Sequence, residues 1–116
     1  MLGRFFDFLR GKSVLIRGVG KLPEGQAKRI EIGDPLAGGT QVVLCRVDGE
    51  LFALDVRCPH EGGRIIEGPL VEGRHAVCPL HNFYFDPKSG RPVRGVCANA
   101  KTYKVREKDG DCQLWL

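Results

Sequence analysis

The stretch Gln41-Val42-Val43-Leu44-Cys45-Arg46-Val47-Asp48-Gly49-Glu50-Leu51-Phe52-Ala53-Leu54-Asp55-Val56 sets the fold class. Two apolar runs flank Asp48-Gly49, and both residues of that pair tolerate the positive φ that a two-residue hairpin turn demands. The stretch therefore predicts an antiparallel β-hairpin. Asp109-Gly110 repeats the arrangement between Thr102–Arg106 and Cys112–Leu116. Moving outward, further β-type segments bounded by turn residues fall at Val14–Val19, Ala27–Ile32, His75–Cys78 and Phe83–Asp86. Sixteen glycines and seven prolines in 116 residues leave little uninterrupted length for helices. The exception is the opening: Leu2, Phe5, Phe6 and Leu9 recur at i, i+3, i+4 and i+7 and predict a short amphipathic helix within Met1–Lys12. A helix this short is marginal alone, so its apolar face must pack on its own domain or on another chain. The expectation is an all-β chain: an antiparallel β-sandwich over residues 13–116, with residues 1–12 as a helical extension.

Composition narrows the function. With 42% hydrophobic and 28% charged residues, the chain has the make-up of one folded domain. Its apolar runs fall far short of the roughly 20 residues a membrane-spanning helix requires. Arg4, Asp7 and Arg10 interrupt the opening segment, which lacks the apolar stretch of a secretory signal, so a cytoplasmic location is expected. A net charge of +4, with Lys and Arg interleaved with Asp and Glu along the chain, argues against a nucleic-acid footprint. Five cysteines without a secretion signal point to metal or redox use and away from a disulfide framework.

Cys58-Pro59-His60 and Cys78-Pro79-Leu80-His81, separated by seventeen residues, place four metal-ligand side chains in two matched loops. The prolines keep both segments out of regular strand, as ligand-bearing hairpin tips require. One zinc ion can be held tetrahedrally by two cysteines and two histidines. Mixed Cys/His pairs equally suit a binuclear cluster in which thiolates take one iron and imidazoles the other. Gly62 and Gly63 follow the first pair, either to aim N–H groups at a cluster or to supply a positive-φ turn. His75 has no cysteine nearby and reads as structural; Cys45 and Cys112 read as buried apolar residues, and Cys97 as a loop residue with no assigned role.

The CxH and CxxH pattern, with its spacing, resembles the Rieske ferredoxins, and the likeness covers roughly Val14–Leu116. The resemblance implies one 2Fe-2S cluster, with Cys58 and Cys78 on the inner iron and His60 and His81 on the outer, more exposed iron. It implies a cluster-binding subdomain at about 56–86. It also implies a soluble one-electron carrier that is not itself an enzyme, with a reductase as donor and an oxygenase or similar protein as acceptor. No nucleotide site accompanies it: Gly18 and Gly20 lack the strand-GxGxxG-helix context. Gly63 and Leu80 stand where respiratory members of the family carry a bracing disulfide, and Phe83 and Phe85 stand where those members carry hydroxyls. The resemblance is therefore to the low-potential branch. Two rivals remain: a permanent small subunit of a larger oxidoreductase, docked through the Leu2, Phe5, Phe6, Leu9 stripe, and a zinc-stabilised binding module. None of these motifs specifies an oligomeric state.

Overall fold

In a computed structural model, which describes residues 13–33, 39–59 and 62–116, the strand Thr40–Val47 has two cores meeting on it. Val42 through Val47 are buried without a break. Val43, Cys45 and Val47 face one apolar cluster, while Val42 and Leu44 face another with Leu51, Ala53, Tyr103, Cys112 and Leu114. A strand covered on both faces has no reason to alternate, which is why this one reads as a continuous apolar run.

In chain order the strands are β1 (Ser13–Ile16), β2 (Gln26–Ile32), β3 (Thr40–Val47), β4 (Glu50–Asp55), β5 (Gly68–Pro69), β6 (Ala76–Cys78), β7 (Phe83–Phe85), β8 (Pro92–Arg94), β9 (Thr102–Lys108) and β10 (Asp111–Trp115). They form a seven-stranded antiparallel sheet in the order β1-β10-β9-β4-β3-β2-β5 and a three-stranded sheet β6-β7-β8. The all-β expectation holds. Both hairpin turns form as expected, with Asp48 and Gly49 at φ 54° and 78° and Asp109 and Gly110 at φ 54° and 84°. Because β4 pairs directly with β9 through Ala53–Tyr103 and Leu54–Thr102, the chain between them leaves the large sheet at one end of that pair, with β5 returning to it against β2. The projecting part packs Ile65, Leu70, Ala76, Cys78, Phe85 and Ala100 onto Ala27, Val43, Cys45, Leu54 and Val56 of the large sheet.

Two readings change. The expected first strand stops at Ile16 because Gly18 turns at φ 75° into a short 3-10 turn, Val19–Lys21, which buries Val19. β5 and β8 were not expected, since each contains a proline that weakens a strand signal; both lie at sheet edges, where a missing N–H costs no ladder bond. The small sheet runs to Arg94. The helix expected within Met1–Lys12 lies outside the described residues.

Arg46 is the one charged residue in the buried run of β3. Its guanidinium donates to Glu107 Oε1 at 2.7 Å and Oε2 at 3.0 Å, and to the carbonyl oxygens of Leu22, Gly20 and Gly49 at 3.0, 3.2 and 3.2 Å. Hydrogen bonding with Glu107 outweighs burial and raises the Arg46 pKa. Glu107→Gln leaves that cation without its charge partner and is expected to destabilise the fold by about 1.5–3 kcal/mol, read from the urea midpoint.

Candidate metal centre

The first ligand loop leaves β4 at Asp55 and is pinched by a β-bridge between Arg57 and Arg64. Inside the pinch the Cys58 N–H donates to the Gly63 carbonyl at 2.8 Å, and Cys58 is 4% exposed. The second loop is the tip of the β6–β7 hairpin, where Cys78 pairs with Phe83 and Pro79 ends the ladder. Cys78 is fully buried and His81 is exposed. Asn82, at φ 55°, closes the turn.

The loops touch at one point. A Cβ built on Gly63 would lie 2.5 Å from Cys78 Sγ and 3.2 Å from Leu80 Cβ, so only glycine permits the approach. Gly62, at φ 70°, supplies the turn before it. Three of the four expected ligand side chains, Cys58, Cys78 and His81, are described, and His60 lies outside the described residues. Neither Cys58 nor Cys78 is in a disulfide. Among the described residues, no three His, Cys, Asp or Glu side chains converge to hold a single ion. Two buried thiols on touching loops, with an imidazole outside them, fit the split ligation of a Cys2His2 binuclear cluster.

Asp55, three residues before Cys58, holds the root of the first loop. The residue is 3% exposed, and its carboxylate accepts Tyr103 Oη at 2.6 Å, Arg57 N at 2.8 Å, Arg57 Nε at 3.0 Å and Arg57 Nη2 at 3.1 Å. Its own N–H donates to the Lys101 carbonyl at 2.8 Å. Burial pushes the Asp55 carboxyl up, but the bonds from Arg57 and Tyr103 outweigh it and hold the group below the usual carboxylate range. Burial, reinforced by Asp55, raises the Tyr103 hydroxyl. The Asp55-to-Arg57 turn is a local Asx arrangement that the sequence could have signalled. Tyr103 carries no such signal, because it arrives from another strand 48 residues away.

The remaining cysteines behave as structure. Burial pushes the Cys45 thiol up to about 12 and the Cys112 thiol up to about 11. Cys97 is half-buried against the core that contains both Cys58 and Cys78, and burial and then Cys78 raise its pKa. His75 bridges to Val71 through the backbone, away from the loops.

Residues 12–105 match the Rieske [2Fe-2S] domain family. The chain belongs to that family. It is 37% identical over 100 residues to the 3-phenylpropionate/cinnamic acid dioxygenase ferredoxin subunit of Photorhabdus laumondii, covering 83% of this chain and 87% of the relative. It is 36% identical over 87 residues to the naphthalene 1,2-dioxygenase system ferredoxin component of Pseudomonas aeruginosa, covering 74% and 78%. In fold it matches the ferredoxin of carbazole 1,9a-dioxygenase from Nocardioides aromaticivorans, with a TM-score of 0.73 at 20% identity over 89% of this chain and 96% of that one. Family membership makes the cofactor a Rieske 2Fe-2S cluster and removes the zinc module. Among the described residues, no helix is long and apolar enough to cross a membrane.

Gly63→Ala is expected to push the loops apart, so that the purified protein retains fewer than two irons and two sulfides per chain while its far-ultraviolet circular dichroism stays that of the parent. Tyr103→Phe is expected to cost about 1.5–3 kcal/mol, the worth of a hydrogen bond to a charged group. Because the Asp55 pKa is lowered in the folded state, that loss is present above about pH 4 and fades as pH falls through the folded value. Urea titrations at two pH values check both the size and the sign.

Proposed function

We propose that this protein is a cytoplasmic one-electron carrier in which Cys58 and Cys78 hold the inner iron and His60 and His81 the outer, with residues 1–12 an extension to the Rieske domain. It accepts electrons from a reductase and passes them to an oxygenase or similar redox enzyme. The observation that carries the reading is the burial gradient across the loops: Cys78 at 0%, Cys58 at 4%, and His81 exposed at a hairpin tip. The relatives named as dioxygenase ferredoxin subunits and components support the assignment to such a system, since this chain covers 87% and 78% of their lengths.

When bound, the cluster supplies reversible one-electron chemistry. The chain's own residues set the direction of access. Cys58 and Cys78 bind as thiolates inside an apolar core that excludes water, and the imidazole of His81 faces the surface where a partner's electron arrives or leaves. Two thiolates and two neutral imidazoles would bring two negative charges to a 2Fe-2S cluster where four thiolates would bring four, so this ligand set would make its reduction easier. His60→Ala and His81→Ala are each expected to abolish the red-brown visible spectrum and bring iron below two per chain. Full iron and sulfide content in either variant would remove that residue from the ligand set.

Phe85 is fully buried and Phe83 half-buried beside the second loop, and neither side chain offers a donor to a sulfide or thiolate. The potential is accordingly expected near the lower end of the roughly −150 to +300 mV Rieske range. Phe85→Tyr adds one hydroxyl. If it reaches a ligand sulfur, the gain of about 1.5–3 kcal/mol corresponds to a rise of up to ~60–130 mV for one electron, read by protein-film voltammetry on variants of unchanged iron content.

A further inference from the structure

Along most of the chain basic and acidic residues alternate, but the pattern fails between residues 87 and 106. That stretch holds six Lys and Arg residues (Lys88, Arg91, Arg94, Lys101, Lys104, Arg106) and no Asp or Glu. All six are exposed. The stretch forms β8, which is the open edge of the small sheet, then the loop that returns to the large sheet, then most of β9.

Aromatic rings hold several of these cations. Arg94 lies 5.4 Å from the centre of the Tyr84 ring, Lys101 5.0 Å from Tyr103 and Lys104 5.5 Å from Trp115. A ring face orients a cation without cancelling its charge. Among the described residues, no salt bridge neutralises Arg91, Arg94, Lys101, Lys104 or Arg106.

The same surface carries apolar residues. Val96 is 96% exposed and Val93 51% exposed, on the loop and strand that adjoin the second ligand loop. The adjacency is tight: a Cβ on Gly95 would lie 2.5 Å from the Phe83 ring, and Phe83 is the strand partner of Cys78. Lys101 in turn accepts the Asp55 N–H through its carbonyl, at the root of the first loop. The charged, apolar face is thus joined to both ligand loops.

We propose that this face, centred on Val96 and bounded by Arg91, Arg94 and Lys101, docks an acidic surface on the protein with which the carrier exchanges electrons. The inference rests on the carrier reading and names the chemistry of the partner. Exposed valines on the same chain segment as three exposed cations outside any salt bridge among the described residues match a partner patch with apolar residues beside Asp/Glu; the cations steer the encounter and the valines exclude water once it forms.

The test uses the holoprotein and, as an acidic protein probe, a reduced plant-type 2Fe-2S ferredoxin, whose potential of about −400 mV lets it give one electron to the oxidised cluster here. Arg91→Gln, Arg94→Gln and Lys101→Gln are combined in one variant. The control combines Arg17→Gln, Lys21→Gln and Lys108→Gln, an equal charge change at the far end of β9, about 20 Å from Thr102 at 3.3 Å per residue. In stopped flow at low ionic strength the first variant is expected to slow second-order reduction about 10-fold, as loss of electrostatic steering does. That difference should shrink at about 0.5 M salt, and the control should keep most of the parent rate. Equal slowing in both variants, or none in the first, overturns the proposal. Flotation with phosphatidylglycerol vesicles that depends on the same three residues gives the face to a membrane and also overturns it. If dithionite fails to bleach the parent's visible spectrum, the carrier reading itself fails, an outcome distinct from both.

Discussion

Cys58 and Cys78, buried and twenty residues apart in sequence, come from loops of different origin, and those loops meet where Gly63 lies against Cys78 Sγ. The rest of the molecule follows from keeping that contact. The second loop is rigid by construction, being the tip of a hairpin whose strands are already paired. The first leaves the large sheet beyond Asp55; it is closed by the Arg57–Arg64 bridge and by backbone hydrogen bonds from Cys58 N–H to Gly63 and from Ile65 N–H to Val56, and is held from below by the Asp55 carboxylate. Among the described residues, Asp55 and Arg46 are the two buried charged groups, and each ties strand β9 to β3 or β4, Arg46 through Glu107 and Asp55 through Tyr103. β9 is therefore anchored at both ends, and the segment projecting between β4 and β9 has fixed roots. Burial of a charge is tolerable only when its partners are satisfied. Both are, which converts two costly groups into geometric constraints.

Much of this was legible in the residues. The hairpin turns were readable because Asp-Gly requires a backbone conformation few other pairs accept, and the two ligand loops because proline and histidine beside cysteine serve no common packing purpose. What escaped has a physical pattern. β5 and β8 contain proline and survive as strands only because each sits at an edge, a property of topology that no local window contains. The bond between Tyr103 and Asp55 is non-local, and a tyrosine within an alternating strand is indistinguishable from any other inward aromatic. Gly62 and Gly63 read in sequence as a pair, either aiming N–H groups at a cluster or supplying a positive-φ turn; only the assembled loops separate the positive-φ role of Gly62 from the close approach that Gly63 allows. Of the four expected ligands, Cys58, Cys78 and His81 lie in the described loops, the two cysteines buried and the histidine exposed, and His60 lies outside the described residues.

A carrier faces opposite demands from its centre and its surface. The centre must be dry enough that its potential is set by fixed groups, yet an electron must reach it in a transient encounter. Here the demands are met on different sides of the same loops. Inward, Cys58 and Cys78 join the apolar cluster with Val43, Leu54, Ile65 and Phe85. Outward, Leu80 is 48% exposed and His81 is exposed at the hairpin tip. The aromatic rings serve both sides, since Phe85 fills the core while Tyr84, its neighbour on the opposite face of β7, carries Arg94. Alternation along a strand of only three residues thus links the packing of the centre to the charge presented to a partner. A substitution that moves β7 should disturb both together. One that changes Arg94 alone should leave the core, and with it the environment of the thiolates, as it was.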